Sequence, residues 1–216
     1  MDIIYCMTPN LYCDFKRTVR SLLDHNDATV HLIVEDDGID GFDCVKINPH
    51  DYFTAKSYRF TLMSYARILA PLLFNFDKAI YLDVDTIVCD SLEPLWAIDM
   101  TGKQFGAVPE RPVRYNPYDH ELYYNAGVLL MNLAQLRADD MVKPMVDGLN
   151  GGIYLFGEQD AINHLCYDKT IELPVRFNES TITGQTDAPA IVHYAGFVNW
   201  QKGTIARSNY RDKYFS

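Results

Sequence analysis

The chain has 216 residues, 48% of them hydrophobic and 22% charged, with a formal net charge of −10. That composition is enough for one well-buried core and argues against disordered or fibrous classes. An acidic chain with no run of Lys or Arg repels phosphate backbones, so nucleic acid is not an expected partner. Residues 2–7 (DIIYCM) predict a buried strand that starts at once, without the basic region or long apolar stretch of a signal peptide. Pro9 and Asn10 predict a turn. From Leu11 to His25 the apolar residues Phe15, Val19, Leu22 and Leu23 recur at helical spacing. TVHLIVEDDG then reads as a strand ending in an acidic turn. Strand, helix and strand in this order are the mark of a βαβ unit and a parallel sheet.

Residues 57–74 (SYRFTLMSYARILAPLLF) predict an amphipathic helix interrupted or ended at Pro71. KAIYL is a strand that runs into Asp83, and FGAV (105–108) is a shorter one. Residues 109–124 (PERPVRYNPYDHELYY) are rich in proline and tyrosine and read as a long loop over the sheet, a candidate lid. NAGVLLMNL (125–133) is a buried strand, followed by a helix from Ala134 to Leu149. GEQDAINHLC (157–166) is a short helix, and IELPV and AIVHYAG are late strands. The expected fold is α/β with a mostly parallel central sheet flanked by helices, in one domain. No window reaches 18 apolar residues, so no transmembrane segment is expected. The cysteines are widely spaced, with no C-x-x-C pair. Cys6 and Cys89 sit in strand-like runs, which fits buried thiols in a reducing compartment, and the expected location is cytoplasmic.

The stretch YLDVDTIVCDSLEPLW (81–96) places Asp83 and Asp85 one residue apart where an apolar strand ends. Residues two apart on a strand point to one side. The carboxyl end of a strand in an open α/β sheet is where ligands bind. Two like charges so close call for a proton or a cation between them. Hard oxygen ligands select Mg²⁺ or Mn²⁺. An acidic turn whose carboxylates cap backbone N–H groups is the plain alternative. A haloacid dehalogenase-like phosphatase also places D-x-D after an apolar strand, and would need a second acidic pair such as Asp139–Asp140. A sugar- or nucleotide-binding module that has lost activity is the non-enzymatic alternative.

Several blocks in order resemble glycosyltransferase family eight, the group containing glycogenin and the lipopolysaccharide galactosyltransferases. They are DIIYCMTPN at the start, SYARILAPLLF with YLDVDTIVCDSLEPLW, NAGVLLMNL, EQDAIN and VHYAG. The resemblance implies the GT-A fold (the nucleotide-diphospho-sugar transferase, Rossmann-like fold). It divides the chain into a nucleotide-sugar-binding half, about 1–108, and an acceptor-side half, about 109–216. It also implies a metal-dependent, retaining transfer of a hexose from a UDP-sugar to a saccharide or other hydroxyl acceptor.

Residue by residue, the resemblance makes Asp83, Asp85 and His193 the ligands of Mn²⁺, with Mg²⁺ as the alternative ion. It sets Thr8, Asn10 and Tyr12 near uracil and ribose. Tyr12 stands in for the stacking aromatic that Leu11 does not provide. Val84 accompanies the carboxylates against the nucleotide sugar, and Gly196 lets backbone approach a phosphate. Arg67 lies near the donor sugar, and Asn125 and Ala126 face the sugars. Asp160 holds donor hydroxyls, and the carbonyl oxygen of Gln159 stabilises positive charge at the anomeric carbon. The family pattern H-x-x-G-x-x-K-P-W is altered here to HYAGFVNWQKG, which leaves Lys202 as the candidate diphosphate contact. The chain is short for the family, as expected of a catalytic domain, alone or within a larger polypeptide.

Overall fold

The computed structural model describes residues 1–54, 61–110, 115–180 and 186–195. The first strand is β1 (Asp2–Met7). A 3-10 turn carrying Pro9 leads into helix α1 (Tyr12–Leu23), whose Phe15, Val19 and Leu22 are buried as their spacing requires. Strands β2 (Thr29–Val34) and β3 (Asp43–Lys46) follow. Leu62–Leu69 is a 3-10 helix, not the α-helix expected there, and it passes into the short α2 (Ala70–Leu73). Pro71 sits in the first turn of α2, where its missing N–H costs nothing, so it starts a helix instead of ending one.

Next come β4 (Lys78–Leu82), β5 (Thr86–Val88), α3 (Glu93–Trp96) and β6 (Phe105–Pro109). The longest strand is β7 (Tyr124–Asn132). The helix expected over 134–149 is two helices, α4 (Leu133–Ala138) and α5 (Val142–Asn150), separated by Asp140 at φ 51°. Then come α6 (Glu158–Leu165), β8 (Thr170–Glu172), β9 (Glu179–Ser180) and β10 (Ile191–His193). The expected strand IELPV stops at Glu172, because Pro174 begins a 3-10 turn, Val175–Phe177.

Seven strands form the central sheet in the order β3-β2-β1-β4-β7-β6-β8. All neighbours are parallel except those of β7, which runs antiparallel to both β4 and β6. A sheet covered on both faces needs strands that are apolar on both sides. Ile4, Cys6, Tyr81, Leu129 and Met131 pack on one face beneath Met63, Leu69, Leu136 and Met145. Ile3, Tyr5, Ile80, Leu82 and Leu130 pack on the other beneath Phe15, Val19 and Leu22. A second, three-stranded sheet, β5-β10-β9, lies where β4 ends. It is this small sheet that builds the site.

Candidate active site

β4 is buried and ends at Leu82. Asp83 donates its N–H to Gly127 O at 2.8 Å, Val84 and Asp85 form a turn, and β5 starts at Thr86. The two carboxylates therefore converge through a turn, not through the pleat of a continuous strand. Thr86 Oγ1 closes that turn on Asp83 O at 2.7 Å, and Thr18 of α1 braces Thr86 at 3.1 Å. β10 pairs antiparallel with β5, which sets His193 opposite Thr86. Tyr194 N–H donates to Asp85 O at 2.9 Å. This pairing brings an imidazole from the far end of the described chain onto the turn.

His193 Nε2 lies 3.3 Å from Asp85 Oδ1 and 3.9 Å from Asp83 Oδ2. One ligand atom from each of the three residues falls within 4.8 Å of the others. Burial pushes the Asp83 carboxyl up, against the pull of Arg67. Burial acts the same way on Asp85, but His193 outweighs it and holds that carboxyl low. Burial opposes the charged form of His193, yet Asp85 overcomes it and the imidazole is raised. Two carboxylates and an imidazole are a donor set that suits a divalent cation.

Arg67 is buried beside the cluster. Its Nη1 donates to Ala126 O at 2.6 Å and its Nε to Ser64 O at 3.0 Å. Its Nη2 lies 2.9 Å from Asp83 Oδ1 and 3.1 Å from Glu158 Oε1. The guanidinium also stacks on Tyr81, 4.3 Å from the ring centroid, while Tyr81 Oη donates to Asp83 Oδ1 at 2.6 Å. One cation thus ties the end of β4 to α6 and to β7. Burying Arg67 without these partners would be prohibitive.

A cavity of about 760 Å³ opens beside the cluster. Of the residues expected from sequence, Thr8, Arg67, Asp83, Val84, Asp85, Asn125, Ala126, Gln159 and His193 all line it. Others do not. Tyr12 is the first residue of α1, and its Oη donates to Asp36 Oδ1; Leu11 lines the cavity in its place. Asn10 accepts from Thr8 Oγ1. Asp160 is buried away from the cavity, with its carboxylate taken by Tyr123 Oη at 2.5 Å and Phe156 N–H at 2.8 Å. Gln159 reaches the cavity, but its carbonyl oxygen already accepts from Ala126 N–H at 3.0 Å. Gly196 and Lys202 lie outside the described residues. The acidic pair required by a phosphatase is absent as a site: Asp139 is held by Lys169, Gln104 and Gln135 at the end of α4.

Three further residues enter the site. Glu158 faces Arg67. Glu110 lines the cavity and accepts on one oxygen from Gln159 Nε2 at 3.0 Å and Asn125 Nδ2 at 3.2 Å. Asn178 accepts from His193 at 2.9 Å. Glu158 belongs to the Glu-Gln-Asp element that drew notice in the sequence, so it was within reach. Glu110 and Asn178 stand in irregular chain with no pattern to mark them.

A protein of Haemophilus influenzae named as a glycosyltransferase is 32% identical over 129 residues, 55% of this chain and 39% of that protein. Glycosyltransferase GlyA of Streptococcus pneumoniae is 29% identical over 197 residues, 84% of this chain and 28% of that protein. The chain therefore spans less than half the length of these two curated relatives. Among solved structures, the galactosyltransferase LgtC, in complex with donor and acceptor sugar analogs, superposes with a TM-score of 0.78 at 22% identity. The match covers 99% of this chain and 100% of that one. This likeness establishes the GT-A fold. Glycosyl transferase family 8 matches residues 4–202, and to that family the chain belongs.

Proposed function

We propose that this glycosyltransferase moves a hexose from a UDP-sugar to a hydroxyl of a saccharide or other acceptor, with retention, and with Mn²⁺ held by Asp83, Asp85 and His193. The observation that carries the reading is the convergence of those three ligands at the edge of a cavity large enough for a nucleotide sugar. Family membership, and the donor and acceptor sugar analogs bound by LgtC, supply the substrate classes. In this reading about 1–108 serves the nucleotide sugar and about 109–216 the acceptor. The free cysteines support a cytoplasmic, reducing setting.

A bound divalent cation would supply Lewis-acid neutralisation of the diphosphate leaving group. The chain's own residues do the rest. Arg67 adds a permanent positive charge beside Asp83, preorganised by its buried partners. Glu110 orients the Gln159 and Asn125 amides along the cavity wall. An amide is a poor nucleophile, so Gln159 is given no covalent role. The favoured route is front-face. The bond from the anomeric carbon to the diphosphate oxygen breaks, the acceptor oxygen bonds to the same face, and the acceptor proton passes to the leaving phosphate.

Donor hydrolysis across a panel of nucleotide sugars, with and without Mn²⁺, tests the reading. Asp83→Ala and Asp85→Ala should each lower turnover at least about a hundredfold, since a lost preorganised charge contact costs roughly 3–4 kcal/mol. Turnover near the parent's in both variants removes the cation role. Mn²⁺-dependent UDP binding without hydrolysis or transfer would leave an inactive binding module. An inverted product seen by NMR would exclude the front-face route.

A further inference from the structure

Behind the cation cluster, a chain of amides decides which nitrogen of His193 carries its hydrogen. The backbone N–H of Gly127 donates to Asn125 Oδ1 at 2.9 Å. A backbone N–H can only donate, so that side-chain atom is the oxygen. Asn178 reaches the same oxygen at 2.9 Å, and must do so with its NH₂ group. The carbonyl end of Asn178 is then turned to His193 Nδ1, 2.9 Å away. A carbonyl only accepts, so the hydrogen sits on Nδ1. Nε2 faces Asp85 Oδ1 at 3.3 Å and Asp83 Oδ2 at 3.9 Å; the hydrogen it shares with Asp85 is the one a divalent cation would displace to reach its lone pair. Asn125 is independently consistent, because its remaining NH₂ donates to Glu110 Oε1 at 3.2 Å.

We infer that Asn178 is the positioning residue that makes His193 a metal ligand, transmitting the orientation of the β7 backbone through Asn125 to the imidazole. Asn178 and His193 are 5% and 4% exposed, so bulk solvent does not compete for the contact between them. The ring is also wedged from the other side: a Cβ on Gly127 would stand 2.1 Å from His193 Cε1. A ligand histidine whose second nitrogen is held in this way keeps both tautomer and ring angle. The same network reaches the opposite wall of the cavity, since Glu110 Oε1 also accepts from Gln159. The histidine is thus coupled through Asn178 and Asn125 to the residues facing the sugars.

The inference rests on the cation reading, and its test measures Mn²⁺ affinity directly. Full-length, metal-free protein is titrated with Mn²⁺, and free ion is read by electron paramagnetic resonance without any nucleotide. Loss of such an outer partner typically weakens metal binding about 10–100-fold, so Asn178→Ala should bind at least about tenfold more weakly than the parent. Asn178→Asp keeps an acceptor for Nδ1–H but gives up the donor to Asn125 Oδ1, so its loss should be smaller than that of Asn178→Ala, about threefold. Parent-like affinity in Asn178→Ala overturns the inference, as does an Asn178→Asp affinity that falls as far as that of Asn178→Ala. Near-ultraviolet circular dichroism reports folding. If Asn178→Ala does not fold, Asn178→Asp decides alone: a loss of no more than about threefold supports the role and a loss of about tenfold overturns it. A parent that binds no Mn²⁺ overturns the cation reading and this inference together; a binding parent with an unaffected Asn178→Ala overturns the inference only.

Discussion

Arg67 serves two carboxylates, Asp83 and Glu158, from one nitrogen, and one buried cation cannot fully neutralise both. The imbalance falls on Glu158. Its Oε2 is buried with no hydrogen-bond partner among the described residues, and burial pushes its carboxyl up to about 7 despite the pull of Arg67. The folded protein therefore holds a proton that the unfolded chain releases near 4.5. That contribution is fully present below pH 4.5 and is lost as pH rises through 7. Within that window it falls by about 1.4 kcal/mol per pH unit. Glu158→Gln keeps the shape and removes the titration. In metal-free buffer, the unfolding free energy of Glu158→Gln relative to the parent should rise by roughly 2–3 kcal/mol between pH ~5 and pH ~8, as read from urea midpoints. A flat difference would show that Glu158 is ionised throughout. The carboxylate pair at a strand end was legible from the residues themselves, whereas Arg67 in SYARIL and His193 in VHYAG were marked only through the family resemblance. Tyr12 was placed by its position along the chain and Asp160 by its match to the family's Glu-Gln-Asp element; in the fold Tyr12 Oη bonds Asp36 and the Asp160 carboxylate is taken by Tyr123.

At the level of the element, α6 depends on how it begins. Gly157 stands just before the helix at φ 59° and ψ −129°, a conformation open to glycine almost alone. A Cβ there would also meet Tyr65 Cε1 at 2.4 Å, and Tyr65 is itself packed edge-on against Phe53. Gly157→Ala therefore carries two penalties, a backbone strain of about 1–3 kcal/mol and an overpacking cost of similar size. Gly102, at φ 70° with nothing within 4 Å of its Cβ position, carries a positive-φ penalty with no packing clash. Gly157→Ala should lose at least about 1 kcal/mol more stability than Gly102→Ala by denaturant unfolding. Equal losses would mean that Tyr65 moves aside freely. Because Gln159 and Glu158 ride on the first turn of α6, turnover should fall with it. The existence of α6, α1 and the buried strands was legible from apolar spacing. Their interruptions were not. The break at Asp140 and the 3-10 winding of Leu62–Leu69 are set by tertiary packing, which an apolar period does not encode.

On the scale of the whole molecule, the candidate cation site exists only after long-range pairing is complete. Asp83 and Asp85 follow β4, near the middle of the central sheet, whereas His193 arrives on β10 through its pairing with β5. The family resemblance implied that these motifs share a site. The β5-β10-β9 sheet that joins them was not foreseen, because three-residue strands carry too little pattern. A ligand held by both segments binds the native state and has no preformed site in the unfolded chain, so it stabilises by mass action. At a free Mn²⁺ concentration about a hundredfold above Kd the gain is roughly 2.7 kcal/mol. For a chain of 216 residues, each kcal/mol shifts Tm by about 2–4 °C. Saturating Mn²⁺ should therefore raise Tm by about 5–10 °C in the parent. The rise should vanish in His193→Ala and in Asp85→Ala, which remove ligands from opposite sides of the β5–β10 pairing. Differential scanning calorimetry reads this without substrate. A shift retained in His193→Ala would mean that the ion is held by the Asp83–Asp85 turn alone, and that the small sheet serves stability, not the cation.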